Sequence, residues 1–137
     1  MSTDFVLRPI GVVESDLTDL AGAPRQGDEG APDAWLVLDP AFAEAWQHLV
    51  VGDELLLFTW FDRADRETLV VHPRSDVTRP PTGVFSTRSP DRPNPIGLHR
   101  ITLLAIDAQR LHVGPLEAID GTPVLDLKPV LGDVADR

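Results

Sequence analysis

The sequence predicts a mainly β fold, a small antiparallel β-barrel with one short helix. Three observations support this prediction: apolar segments of strand length recur along the chain, turn residues separate them at short intervals, and only one segment has a strong helix start. Short strands at regular spacing are typical of antiparallel barrels and sandwiches. With 137 residues, the chain fits one domain, residues 1–137, with a single core.

The strands are expected in the following order. The apolar segment 5–13 predicts a first strand that ends near Glu14, and a long connection rich in Gly, Pro, Ala and Asp follows over residues 15–32. Further strands are expected at residues 35–38, 53–61, 68–72, 83–86, 96–106, 110–113 and 124–127. The segment 53–61 is dense in Leu, Phe, Thr and Trp, which favours a strand buried on both faces. Residues 107–109 are typical of a hairpin connection.

One short helix is expected after the second strand. Asp39 and Pro40 predict its start, because an aspartate N-cap accepts hydrogen bonds from the first turn and proline suits the first helical position. Phe42, Trp46 and Leu49 recur at helical spacing, so this helix should bury one face. No glycine-rich strand-to-helix turn occurs, which argues against a doubly wound nucleotide-binding fold.

Composition restricts the function classes. The chain has no cysteine, which excludes disulfides and thiolate metal ligands, and its four histidines are too scattered for a metal site. No apolar run approaches membrane-spanning length and no signal pattern begins the chain, so we expect a cytoplasmic protein without a membrane partner. The net charge of −10 argues against a generic nucleic-acid binder. Residues 62–100 nevertheless hold seven arginines against five acids, and such a basic patch can accept a polyanion.

The most informative segment is residues 83–97, where three prolines, Arg88, Arg92 and Asn94 stand between two strand-like runs. Proline fixes its own φ angle and restricts the residue before it, so this loop should be rigid before any ligand binds. Guanidinium and carboxamide groups on a rigid loop suit an anionic or highly polar ligand. The alternative is a proline-stiffened connection whose arginines pair with acidic neighbours.

Residues 88–97, which read Arg-Ser-Pro-Asp-Arg-Pro-Asn-Pro-Ile-Gly, resemble the signature of the TsaA/YaeB-like family, which includes the tRNA methyltransferase O type of enzyme. Pro-Arg-Gln at residues 24–26 and the segment 120–129 fit the same family in the same order. The resemblance extends from about Ile10 to Pro129. It implies a small β-barrel, in agreement with the strand pattern, and it also implies S-adenosylmethionine as the cofactor and a homodimer.

The resemblance further implies a cofactor site drawn from several parts of the chain. Its residues are Pro24, Arg25, Gln26, Asp62, Arg63, Arg88, Leu98, Glu117, Ala118, Ile119 and Asp120. These groups suit the cofactor, because its ammonium and ribose hydroxyls need carboxylates or carbonyls, its carboxylate needs donors, and its adenine needs apolar walls. Two positions depart from the family pattern: Asp62 stands where a histidine is usual, and Val130 stands where a tyrosine is usual.

Three functions remain open on this basis. The first is methylation of N6 of threonylcarbamoyl-adenosine in the tRNA anticodon loop, with Asp126 or His99 as the base. The candidate contacts to the anticodon arm are Arg74, Arg79, Arg92 and Arg100. The second is methylation of a small molecule, which the acidic charge and Asp62 favour. The third is a non-catalytic module that binds S-adenosylmethionine.

Plainer roles are open for several of these residues. Asp120 and Gly121 are a common turn pair, so Asp120 has either a turn role or a ligand role. Asp126 and Lys128 share one face of a strand, which also suits an exposed ion pair. His99 follows Leu98 directly and faces either the pocket or the opposite side of its strand.

Overall fold

Six strands close into an antiparallel barrel in a computed structural model of the chain, which describes residues 3–17, 32–73 and 76–132. In chain order the strands are β1 (Gly11–Glu14), β2 (Ala34–Leu38), β3 (Glu54–Trp60), β4 (Val70–Val71), β5 (Thr82–Gly83), β6 (Ile96–Asp107), β7 (Arg110–Gly114) and β8 (Pro123–Pro129). The order around the barrel is β1-β2-β7-β6-β3-β8, and β8 pairs again with β1. β4 and β5 form a separate two-stranded sheet. The predicted fold class is confirmed.

The core consists of side chains that alternate along each barrel strand. In β3, Leu55, Leu57 and Thr59 are buried, whereas the residues between them are half-buried. The prediction that this strand is buried on both faces is therefore wrong, because its second face forms the outer wall of the barrel. The apolar core residues are Val13, Ala34, Leu36, Leu38, Leu55, Leu57, Ile101, Leu103, Leu111, Val113, Leu116, Ala118 and Val124.

The predicted helix is present as a 3-10 helix, Pro40–Trp46, that begins where the sequence indicates. The Asp39 carboxylate accepts a hydrogen bond from the backbone N–H of Ala41 at 2.9 Å. Burial of the helix is weaker than expected: none of its residues is fully buried, and only Trp46 and the following Leu49 pack on the core from this region. Phe42, Trp46 and Leu49 are half-buried, whereas the residues between them are exposed, so the predicted face is the one that turns toward the barrel.

Two predicted strands have different bounds in the structure. The first strand is shorter than predicted, since β1 begins only at Gly11 and Phe5 is 89% exposed. Pro9 lacks a backbone N–H, which disfavours pairing at that point. The predicted strand 83–86 is wrong, because β5 ends at Gly83 and a 3-10 turn, Val84–Ser86, follows.

Three pairs of consecutive barrel strands are connected at the same end of the barrel. Because neighbouring strands are antiparallel, the last residues of β1, β3 and β7 lie at the same end as the first residues of β2, β6 and β8. We call this the loop end. The β2–β3 connection and the β6–β7 hairpin lie at the opposite end. No helix in the described parts of the chain is long and apolar enough to cross a membrane.

The hairpin between β6 and β7 is confirmed, with Asp107 opposite Arg110. Ala108 has a φ angle of 54°, which is unfavourable for a residue with a Cβ atom.

We expect Ala108→Gly to raise the free energy of unfolding by about 1 kcal/mol, measured by urea denaturation. Gln109→Gly is the control, because Gln109 is not in the left-handed region and glycine there should give no gain. Equal effects of both changes would contradict this account.

Candidate functional site

The predicted cofactor residues that the structure describes are grouped at the loop end. Asp62 and Arg63 follow β3, Arg88 precedes β6, and the segment 117–120 connects β7 to β8. Leu98 is the third residue of β6. Three further predicted residues, Pro24, Arg25 and Gln26, lie outside the described residues. Closure of the barrel thus brings together segments that are far apart in the sequence.

The loop before β6 is held together by Arg92. Its guanidinium donates hydrogen bonds to three backbone carbonyls, those of Val84 at 2.6 Å, Ser89 at 3.0 Å and Thr87 at 3.2 Å. A planar group with five N–H donors is well suited to bind several carbonyls at once. Arg92 therefore stabilises the loop conformation, and its guanidinium is engaged within the chain.

A second set of hydrogen bonds joins this loop to the segment that follows β3. Arg66 donates to the carbonyl of Pro93 at 2.7 Å and to the Asn94 carboxamide oxygen at 3.1 Å. The carboxylate of Asp91 accepts from the backbone N–H of Asp65 at 2.9 Å. The Asn94 carboxamide, a candidate ligand contact from the sequence, is thus engaged within the chain. Both segments are fixed relative to each other.

Arg88 is the exception in this loop. Its side chain is exposed, and no hydrogen bond or ion pair joins it to another residue in the part of the chain that the structure describes. Two arginines four residues apart therefore have different roles, because Arg92 turns toward the loop backbone and Arg88 turns to solvent. Arg88 is a free cation on a rigid support.

Leu98 and His99 face opposite sides of the barrel wall. Leu98 points outward opposite Phe58 of β3 and is 41% exposed. His99 points into the barrel, where its side chain is 1% exposed. Neighbouring residues of a strand alternate in direction, so the two cannot line the same surface. Of the two orientations left open for His99, the structure shows the buried one.

His99 is the centre of a buried polar cluster. Its Nδ1 lies 2.5 Å from Oε1 of Glu117, and its Nε2 lies 2.7 Å from the Thr59 hydroxyl. The edge of the Phe61 ring packs against the imidazole, with ring centroids 5.9 Å apart. A Cβ atom at Gly97 would come within 2.3 Å of the Thr59 hydroxyl oxygen, so only glycine leaves room for the cluster. Thr59 was not among the predicted site residues, although it is the one polar side chain among the inward positions of β3.

The segment 117–120 combines buried and exposed positions. Ala118 and Ile119 are buried, so they anchor the connection, and any ligand contact from them would come through the backbone. Asp120 is exposed and occupies a turn with Gly121, and its carboxylate accepts from the backbone N–H of Ser15 at 3.1 Å. The turn role is thus observed, and it leaves part of the carboxylate accessible from the loop end.

The two predicted bases lie apart. Asp126 is exposed on the outer wall, opposite Phe58, and its carboxylate accepts from the backbone N–H of Leu127. No ion pair joins it to Lys128, which instead lies over the Phe58 ring at 6.0 Å. Because His99 is inside the barrel and Asp126 is outside it, the structure does not bring these two residues together.

Most of the predicted tRNA-contacting arginines are engaged. Arg100 pairs with Glu54 at 3.2 Å and Arg79 pairs with Asp76 at 3.6 Å, while Arg74 lies outside the described residues. Hydrogen bonds from Thr78, together with the Arg79 charge, lower the pKa of Asp76 below its usual range, so this partner of Arg79 stays ionised. Among the residues that the structure describes, no group of three or more His, Cys, Asp or Glu side chains is arranged to hold a metal ion.

A family model for the tRNA-methyltransferase O N-terminal domain matches residues 12–136. The chain belongs to this family. Residues 88–97, on which the resemblance was based, form the loop held by Arg92 and the first two residues of β6. The match includes all three connections at the loop end.

Known relatives agree with this assignment. A probable S-adenosyl-L-methionine-binding protein of Archaeoglobus fulgidus is 40% identical over 123 residues, which are 90% of this chain and 33% of that protein. An S-adenosyl-L-methionine-binding protein of the same organism is 37% identical over 90% of this chain and 88% of its own length. A crystal structure of TrmO from Pseudomonas aeruginosa, 31% identical, has a TM-score of 0.75. That alignment covers 98% of this chain and 61% of the TrmO chain. This chain spans about a third of the length of the first Archaeoglobus fulgidus relative.

The Arg92 hydrogen bonds predict a difference between the two arginines of the loop. Arg92→Lys should lower the free energy of unfolding by about 1–3 kcal/mol, because an ammonium on a flexible stem cannot bind three carbonyls in one plane. Arg88→Ala is the matched control and should change the stability by less than about 0.5 kcal/mol, since it removes no contact within the described structure. Urea denaturation measures both. A larger loss in the Arg88 variant would contradict the assigned roles.

Proposed function

We propose that this protein is an S-adenosylmethionine-dependent methyltransferase that methylates N6 of threonylcarbamoyl-adenosine in tRNA. The observation that supports it most directly is the exposed guanidinium of Arg88, which has no partner among the described residues and extends from a loop whose backbone is held by Arg92, Asp91 and Asn94. Membership of the tRNA-methyltransferase O family supports the reaction class. The cofactor predicted from the sequence agrees with the names of the relatives.

The residues at the loop end fit this cofactor chemically. Arg88 offers donors for a carboxylate, Asp120 offers an acceptor for an ammonium or hydroxyl group, and Leu98 offers exposed apolar surface for an adenine. When bound, the cofactor supplies an activated methyl group for in-line displacement, which requires no metal. Positioning of the reactants contributes up to roughly 7–11 kcal/mol to such reactions. The rigid loop is the part of this chain that serves positioning.

The acceptor end needs a group that removes a proton from N6. Asp126 is accessible on the outer wall, two strands from Leu98 and at the same level of the barrel. We propose it as the base, since a solvent-accessible carboxylate can reach an external substrate. His99 is unsuited to that role, because both of its ring nitrogens are engaged inside the barrel.

We also propose that the protein is a homodimer. On the outer wall, exposed Ile96 and Leu98 lie directly opposite Trp60 and Phe58 of β3, which gives a continuous apolar row. The first half of β6 pairs only with β3, because pairing with β7 begins at Thr102. A second copy on this row would bury apolar surface beside Leu98 and Asp126.

One observation favours a small-molecule acceptor as the second candidate. Arg79, Arg92 and Arg100 are engaged within the chain, which leaves few free cations for phosphates. Binding of a small acceptor does not depend on such contacts. The third possibility, a non-catalytic S-adenosylmethionine-binding module, corresponds to the wording of the relatives' names.

Calorimetric titration with S-adenosylhomocysteine tests the cofactor assignment. We expect binding by the unaltered protein and affinity at least about tenfold weaker for Arg88→Ala, since hydrogen bonds to a charged group contribute roughly 1.5–3 kcal/mol. Arg8→Ala is the control, because Arg8 is an exposed arginine before β1, away from the loop end. Equal affinities for the two variants would contradict the placement of the site.

Methyl transfer to purified tRNA tests the acceptor. We expect product with tRNA that carries threonylcarbamoyl-adenosine and none with the unmodified tRNA. If exposed Arg63 contacts one phosphate while Arg88 holds the cofactor, raising the salt from about 50 to about 200 mM should weaken tRNA binding by about threefold. Turnover of small acceptors without tRNA methylation would favour the second candidate.

A further inference from the structure

We infer that His99 is a positioning residue that holds the carboxylate of Glu117 at the loop end, where Glu117 binds the cofactor through its second oxygen. The inference rests on the proposed function, since it concerns the same cofactor site. It gives a role to the buried histidine and to Thr59. It also joins His99 and Glu117, which were predicted to have separate roles, in one cluster.

The hydrogen bonds define the state of the imidazole. A carboxylate only accepts hydrogen bonds, so Nδ1 of His99 has to carry a proton toward Oε1 of Glu117. In the neutral ring Nε2 then accepts, and the Thr59 hydroxyl can donate to it. Both ring nitrogens are satisfied in this arrangement, and no buried side-chain polar atom in the described residues lacks a partner.

Burial shows which member of the cluster can reach a ligand. The His99 side chain is 1% exposed, whereas the Glu117 side chain is 14% exposed. Within the described residues only Oε1 of Glu117 has a hydrogen-bond partner, so Oε2 is available as an acceptor. A ligand ammonium or hydroxyl group at the loop end can therefore contact Glu117 but not His99.

The surroundings make this arrangement rigid. Thr59 and His99 belong to the paired strands β3 and β6, and Phe61 packs on the imidazole from the side. The backbone of Glu117 is held between Leu116 and Ala118, both of which are buried. Fixing the carboxylate before the ligand arrives lowers the entropy lost on binding.

A double-mutant cycle distinguishes positioning from a purely structural role. Calorimetry with S-adenosylhomocysteine is expected to show about tenfold weaker binding for His99→Leu and at least that loss for Glu117→Ala. The double variant should bind no more weakly than Glu117→Ala alone, because His99 acts only through Glu117. Additive losses, or unchanged affinity in either single variant, would overturn the inference.

Two further variants sharpen the comparison. His99→Asn retains an N–H donor near the position of Nδ1, so it should recover most of the affinity lost in His99→Leu even if its stability stays low. His48→Leu is the control, because His48 is exposed in the β2–β3 connection at the opposite end. If His99 has only a structural role, His99→Asn and His99→Leu will bind S-adenosylhomocysteine with equal affinity. That result would overturn the inference.

A measurement on the unaltered protein covers the case in which these variants do not fold. Long-range proton–nitrogen spectra of labelled histidine should show His99 with the proton on Nδ1, and its ring signals should shift when S-adenosylhomocysteine is added. The opposite tautomer, or unchanged His99 signals with bound ligand, would overturn the inference while the proposed function stands. If the folded protein fails to bind S-adenosylhomocysteine at all, both the proposed function and this inference are overturned.

Discussion

Closure of the six strands into a barrel determines the direction of each side chain near the proposed site. The wall is one strand thick, so neighbouring residues must point either into a filled core or out to the surface. Leu98 and His99 show the consequence, since one is an outer apolar surface and the other belongs to the buried cluster. Closure also collects the connections after β1, β3 and β7 at one end. Both effects follow from strand pairing, and together they set which candidate residues can share a ligand.

Local signals in the sequence were sufficient to predict much of the fold. Asp39 and Pro40 determine the helix start through a hydrogen bond made within two residues, and the 107–109 hairpin joins strands that are adjacent in the sequence. Residues 83–86 show where local signals fail. Their composition suits a strand, but Arg92 binds the carbonyl of Val84 and the chain turns instead. A contact eight residues away thus prevails over strand propensity.

The loop of residues 88–97 was predictable from the sequence, but the roles of its residues were not. Nothing in the spacing of Arg88 and Arg92 shows that only one of them faces solvent. That distinction depends on the positions of three backbone carbonyls. The pairing of His99 with Glu117 spans 18 residues and arises because the connection after β7 passes the inner face of β6. Such contacts form only when the barrel closes, so they cannot be predicted from a local sequence pattern.

The distribution of charge limits how a tRNA would approach. The chain has a net charge of −10, and Arg79 and Arg100, which were predicted to contact the anticodon arm, are paired with acidic neighbours. An anionic acceptor would therefore be repelled by most of the surface, and at the loop end Arg63 and Arg88 are the exposed arginines that could attract it. Since the cofactor carboxylate would itself occupy Arg88, few cations would remain for phosphates. Binding of a modified nucleoside would then depend mainly on contacts to the base rather than on contacts to phosphates.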